Sequence, residues 1–229
     1  MRTIAILPVK SFDAAKQRLS GMLGGGARRA LALAMFSDVM ASLRRVQELD
    51  GVAVVTAERV AEDAALRQGA DVLRDGAEAG QSAAAGIGIR HAVEAGYERA
   101  LLVPGDTPLA DPEEVARLLA RDLDVVVVPD RHGTGTNALL LRPPDAIAPS
   151  FGPGSLERHL AAARTSGASH AVDAVSSLVL DVDTPDDLAQ LAARLEERRG
   201  KAPMTRGALR QLDRSKARGP SAERRPVHA

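Results

Sequence analysis

Short apolar runs, separated by stretches with helical periodicity, dominate residues 1–197. The runs are Ile4–Val9, Val52–Thr56, Ala70–Leu73, Ala100–Val103, Val125–Pro129, Ala138–Leu141 and Leu178–Val182. Several are apolar throughout and rich in β-branched residues. A strand wet on one face would alternate, so continuous runs mark strands covered on both faces. Between them, Arg28–Leu49, Glu58–Gln68, Ser82–Ala95, Pro112–Ala120, Ser155–Thr165 and Thr184–Glu197 carry helical spacing. Asp111 before Pro112, and Asp183 or Thr184 before Pro185, supply helix starts, because proline suits the first helical turn. Strand–helix alternation of this kind predicts an α/β fold with a mostly parallel, Rossmann-like sheet flanked by helices.

Composition narrows the function classes. Hydrophobic residues at 45% and charged residues at 26% exclude wholesale disorder. Aromatics are 2%, which argues against a base-stacking nucleic-acid surface. Cysteine is absent, removing disulfides, thiolate catalysis and zinc or iron–sulfur thiolate sites, and fitting a reducing cytoplasm. No apolar run reaches the roughly 18 residues of a membrane span. The first apolar stretch is interrupted by Pro8 and Lys10 and reads as a buried strand, not a leader. The zero net charge conceals an asymmetry, since residues 198–229 hold ten basic and two acidic side chains. That segment also carries Pro203, Gly207, Gly219, Pro220 and Pro226. The expectation is one domain over 1–197 and a basic, disordered tail over 198–229, with no membrane or nucleic-acid partner.

In open α/β sheets, ligands bind beyond the carboxyl ends of the strands. Three sets of charged residues follow such strand ends, and two glycine-bearing loops stand beside them. Lys10, Lys16 and Arg18 follow the first strand, either cradling a polyphosphate or forming a solvated helix face. Asp106 follows the fourth strand in Pro104-Gly105-Asp106-Thr107-Pro108, as a divalent-cation ligand or a turn residue. Asp181 and Asp183, two apart, share one face if the last run is a strand. Two acidic loops at one sheet edge suggest a shared Mg²⁺ site, because that ion takes one or two carboxylates plus substrate phosphates. Finally, Gly133-Thr134-Gly135-Thr136-Asn137 and Phe151-Gly152-Pro153-Gly154-Ser155 are anion cradles or plain turns, with Ser155 as a helix cap in the plain reading.

Other signals fall away. Gly86-Ile87-Gly88 lacks the third glycine of a dinucleotide motif and lies in a helical pattern. Gly24-Gly25-Gly26 lacks the Lys-Ser/Thr of a phosphate-binding P-loop. The five histidines show no metal spacing, and no Gly-x-Ser-x-Gly elbow occurs.

The ordered set from Pro8-Val9-Lys10 through Lys16-Gln17-Arg18-Leu19, Pro104–Pro108, Gly133–Leu139, Phe151–Ser155 and Asp181–Leu188 resembles the phosphoenolpyruvate/2-phospho-L-lactate guanylyltransferase family of coenzyme F-420 biosynthesis. The resemblance covers about residues 3–197. It implies a fold of the nucleotide-diphospho-sugar transferase type, shared with the molybdenum-cofactor guanylyltransferases. It implies GMP transfer from GTP to a small phosphorylated acid, with release of pyrophosphate. Carried over, Lys16 and Arg18 would hold the triphosphate with Lys10 nearby, and Asp106 and Asp183 would hold Mg²⁺. Thr136 or Asn137, with Gly152 and Ser155, would hold the acid. Relatives with Leu-Asn near Gln81 leave that residue without an assigned role. The competing readings are a nucleotidyltransferase for 3-phosphoglycerate, a pterin or a sugar phosphate, and a non-catalytic nucleotide-binding regulator.

Overall fold

The computed structural model describes residues 1–12, 16–198 and 200–217. The chain runs β1 (Thr3–Val9), α1 (Gly25–Leu43), β2 (Gly51–Thr56), α2 (Arg59–Arg67), β3 (Asp71–Arg74), α3 (Gln81–Glu94) and β4 (Arg99–Leu102). It continues through α4 (Pro112–Leu119), β5 (Val125–Pro129), β6 (Thr136–Leu141), α5 (Ser155–Ser166), β7 (His170–Val172), α6 (Pro185–Glu197) and α7 (Pro203–Ala217). A short 3-10 turn at Gln17–Leu19 separates β1 from α1. The strands form one sheet in the order β3-β2-β1-β4-β6-β5-β7. β6 runs antiparallel to both its neighbours, and every other pairing is parallel.

Strand periodicity explains the layers. Along β1, Ala5, Leu7 and Val9 face a core that includes Phe36, Val39 and Leu43 of α1, Ala61 and Ala65 of α2, and Leu118 of α4. Ile4 and Ile6 point the other way, toward Ala84, Ala85 and Ile89 of α3 and Ala163 of α5. All five of the aliphatic residues Ile4–Leu7 and Leu101 are fully buried, and covering a large aliphatic side chain stabilises by about 1.5–3 kcal/mol. Of the glycines set aside above, Gly88 has a packing role. It lies inside α3, where an added Cβ would come within 2.3 Å of Ile6 Cγ2. Glycine there lets α3 approach β1.

Two expectations change. The run Leu178–Val182 is not a strand, and the seventh strand of the sheet is instead β7, a three-residue edge. Leu178, Leu180 and Val182 are buried all the same, Leu178 in the core under α1 and α4 and the other two in a third core with α1 and α6. Alternating burial by side chains mimics a strand in sequence without requiring a ladder of backbone hydrogen bonds.

The second correction concerns the basic tail. Residues 203–217 form α7, and Leu209 and Leu212 pack on the third core beside Leu31, Met35, Leu191 and Leu195. Asp38 of α1, only 3% exposed, accepts backbone hydrogen bonds from Met204 (3.2 Å) and Thr205 (2.7 Å). It thereby caps the start of α7 from a neighbouring helix. Net charge conceals the apolar stripe of this helix, and Pro203 stands at its first position, where proline is tolerated. The expectation for residues 218–229 lies outside the described residues.

Candidate active site

One cleft of about 570 Å³ opens along the ends of β1, β3 and β4 and the loops around β6. Its lining includes Lys10, Lys16, Arg18, Asp106, Thr136, Asn137, Gly152, Ser155 and Asp183. The structure therefore gathers into one space all the residues singled out in sequence, from segments spread over most of the chain.

Lys16 is the hub. Its backbone is left-handed, with φ 57°, as it enters the 3-10 turn. Its side chain is 6% exposed and its Nζ donates to Asp106, after β4, and to Asp183 Oδ1 at 3.0 Å. Burial pulls the ammonium downward, but Asp106 and Asp183 more than offset it and leave its pKa above the ordinary value. Arg18 and Lys10 are exposed at the rim of the same cleft.

The β1 loop that carries Lys16 is tied from outside. Glu58, the N-cap of α2, accepts the Phe12 N–H at 3.0 Å and pairs with Arg29 at 3.1 Å. Leu19 is fully buried in the third core, anchoring the other end.

Asp181 lies near Asp106 and Asp183, the two carboxylates that flank Lys16. Burial chiefly, then the charge of Asp106, pushes the Asp181 carboxyl up to about 6; the Asn137 amide pulls back and Asp183 adds a smaller push. Asp106 Oδ1 is buried with no hydrogen-bond partner among the described residues. No group of three or more metal-ligating side chains is arranged around one point among the described residues. A carboxylate pair, Asp106 and Asp183, could hold a hard divalent cation whose remaining positions ligand oxygens would fill. The orphaned oxygen of Asp106 supplies a donor, and the chemistry is all oxygen. The helix start beside Asp183 is settled as well. Thr184 is the N-cap of α6, and Asp187 returns the capping box, accepting the Thr184 N–H at 2.7 Å and the Asp183 N–H at 3.0 Å.

The opposite wall is built from two glycine-bearing loops. Asp130 Oδ1 accepts the backbone N–H of His132 and of Thr134, and Gly135 packs so closely that an added Cβ would sit 2.5 Å from Asp130 Oδ2. Gly152 and Gly154 have φ of 108° and 72°. Arg158 gathers this loop, donating to Ser150 Oγ, Ser150 O and Phe151 O at 2.8, 2.8 and 3.2 Å. Gly154, not Ser155, occupies the cap position of α5. Ser155 is the first helical residue, and its hydroxyl is buried with no partner among the described residues. A hydroxyl pre-placed in a cleft without a protein partner is suited to a ligand oxygen.

The structure also separates Thr136 from Asn137. Adjacent strand residues point to opposite faces. Asn137 turns its amide inward, donating to Leu178 O at 2.9 Å and Asp181 Oδ1 at 3.2 Å, so it braces the acidic segment. Thr136 is the better placed of the two to meet a ligand. Sequence reasoning missed Asp75, buried after β3, and Arg131, held by Asp186 and Asp187 at 2.8 and 2.7 Å. Both line the cleft. Their position after a strand was the available signal, but nothing in their spacing distinguished them from ordinary turn residues.

Residues 3–225 match the family described as "Guanylyl transferase CofC like". The chain belongs to this family. A phosphoenolpyruvate guanylyltransferase of Conexibacter woesei is 50% identical over 219 residues, covering 94% of this chain and 98% of the relative. A 2-phospho-L-lactate guanylyltransferase of Methanothermobacter thermautotrophicus is 35% identical over 193 residues, covering 83% and 84%. Among solved structures, a protein from Desulfovibrio desulfuricans G20 assigned to the nucleotide-diphospho-sugar transferases superposes with a TM-score of 0.75 at 18% identity, covering 93% of this chain and 96% of that one. That likeness shows the fold, the nucleotide-diphospho-sugar transferase type expected from the sequence. No helix among the described residues is long and apolar enough to cross a membrane.

Proposed function

We propose that this chain transfers GMP from GTP to phosphoenolpyruvate, or to 2-phospho-L-lactate, in coenzyme F-420 biosynthesis in the cytoplasm. A phosphate oxygen of the acid attacks the α-phosphorus of GTP. The bond from that phosphorus to the bridging oxygen breaks, pyrophosphate departs with the electron pair, and a diphosphate-bridged product remains. The attacking phosphate is already an anion at neutral pH, so no general base is needed. What the reaction needs is position and charge neutralisation. Two phosphoryl anions at roughly 4 Å repel by on the order of 4 kcal/mol per charge pair at an effective dielectric of about 20.

The observation that carries this reading is the place of Lys16. A buried ammonium stands between Asp106 and Asp183 in the same cleft as Arg18, Thr136, Gly152 and Ser155. Lys16 and Arg18, with Lys10 at the rim, hold the triphosphate. Thr136, Gly152 and Ser155 hold the acid. Mg²⁺, held by Asp106 and Asp183, supplies further positive charge when bound. The deciding experiment incubates the protein with GTP, MgCl₂ and phosphoenolpyruvate, 2-phospho-L-lactate or 3-phosphoglycerate in turn, with mass spectrometry of the products. A guanylylated acid and pyrophosphate are expected. Bound GTP with no pyrophosphate release from any acid would overturn the enzymatic reading in favour of a regulator.

A further inference from the structure

His159 lies behind the cleft wall in α5, fully buried, with the Phe151 ring edge-on at 5.3 Å. It does not line the cleft, yet its two ring nitrogens reach the two loops that do. The backbone N–H of Ser150 donates to Nε2 at 2.8 Å. An amide N–H only donates, so Nε2 bears its lone pair. Burial, and then the charge of Arg158, lower the pKa of this imidazole to about 4, so the ring is neutral. A neutral ring with a bare Nε2 carries its proton on Nδ1. Nδ1 is 3.0 Å from Thr136 Oγ1. The imidazole therefore donates, and the threonine oxygen accepts. The proton of the Thr136 hydroxyl is left over, and it belongs to a side chain on the cleft lining.

We propose that His159 is a positioning residue for the acceptor substrate. From behind the wall it fixes the Thr136 hydroxyl as a hydrogen-bond donor, so that this point of the cleft takes a carboxylate or phosphate oxygen and disfavours a donor group. Through Ser150 the same ring sets the start of the loop that carries Gly152 and Ser155. Both halves of the acid cradle are thus keyed to one tautomer. This rests on the reading that Thr136 faces the acid.

Three variants separate the two bonds. His159→Asn keeps an amide N–H near the place of Nδ1 and loses the partner of Ser150. His159→Gln puts a carbonyl near the place of Nε2 and loses the donor to Thr136. His159→Phe removes both. If the donor to Thr136 matters, KM for the acid rises about tenfold in the Gln and Phe variants, the loss of one oriented hydrogen bond. The Asn variant stays within about threefold of the parent, and KM for GTP stays within about twofold in all three. Parallel rises in both KM values, or equal effects of Asn and Gln, would show a merely structural histidine and overturn the proposal. The tautomer is read independently on the ligand-free, unsubstituted protein by ¹⁵N NMR, with His159 assigned from its contacts to Phe151. A protonated Nδ1 and bare Nε2 are expected, and a protonated Nε2 defeats the proposal even if the variants fail to fold. The NMR result does not depend on turnover. Failure of the acid to react would therefore count against the proposed function without being mistaken for a wrong tautomer.

Discussion

Replacing Lys16 with alanine tests the centre of the site. The ammonium pairs with Asp106 and Asp183, and each such pair is worth about 4 kcal/mol at roughly 4 Å and an effective dielectric of about 20. Most of that gain offsets the cost of burying the ammonium. The two carboxylates are 26% and 49% exposed, so after Lys16→Ala they regain water. The net loss of stability in metal-free buffer is therefore about 1–2 kcal/mol, below the usual cost of breaking a wholly buried pair. For a chain of this size that lowers Tm by about 3–6 °C. MgCl₂ should then raise the Tm of the variant more than that of the parent, because the two carboxylates no longer hold a competing cation. GTP binding, measured by titration calorimetry, should weaken by about tenfold to a hundredfold, the worth of one charge-assisted contact to phosphate. Lost stability with unchanged GTP affinity would make Lys16 a structural strut and refute the triphosphate assignment. No change in either quantity would refute the placement of its side chain between Asp106 and Asp183.

Asp106→Ala and Asp183→Ala should each lower turnover about a hundredfold or more while the chain stays folded, and near-parental rates at limiting Mg²⁺ would remove them as ligands. Cutting the chain after Gly200 strips α7 from the third core and leaves Asp38 buried without its two N–H donors. The expected cost is about 3–5 kcal/mol, read as an earlier denaturant midpoint; an unshifted midpoint would mean that α7 does not dock in solution. Asp181→Asn in metal-free buffer tests the crowded carboxylates. The folded pKa of Asp181 is raised from 3.8 to about 6, so the native state holds a proton more tightly than the unfolded chain, and its contribution falls as pH rises through that window. The variant should match the parent near pH 3.5 and exceed it in stability by on the order of 2 kcal/mol at pH 7. A constant difference across that range would contradict the assigned environment.

Six of the seven runs read from sequence are strands in the structure, five of them buried along most of their length and the sixth, β3, a half-exposed edge. The seventh run shows where the signal ends. Leu178–Val182 has the right burial but no ladder, whereas β7 is short, half-exposed and carries no apolar run to betray it. The reversed direction of β6 was equally hidden, because antiparallel and parallel strands buried on both faces have the same composition. The α7 helix was missed for a different reason. Ten basic and two acidic residues dominate the averages over 198–229, while docking depends on a few positions such as Leu209 and Leu212. Its N-terminal partner, Asp38, lies more than 160 residues away in sequence, and no local rule connects the two.

The site divides along the same line. Of the residues proposed to meet a ligand, Lys16 and Asp106 follow strands and could be located from the alternation of strands and helices alone, whereas Gly152 stood out only by the glycine and proline of the loop that leads into α5. Residues that hold those side chains in place are chosen by three-dimensional proximity. Glu58 secures the loop of Lys16 from the start of α2, Asn137 braces Asp181 from β6, and His159 orders Thr136 from within α5. In sequence they read as a helix cap, a strand amide and a buried helix histidine. This division also explains why the sequence left Thr136 and Asn137 as equals. The two differ only in what lies behind them: a neutral imidazole behind Thr136 directs its proton outward, and the Leu178 carbonyl and Asp181 draw the Asn137 amide inward. The chemistry of the cleft is thus set by first-contact groups that sequence exposes and by supporting groups that only the fold brings within reach.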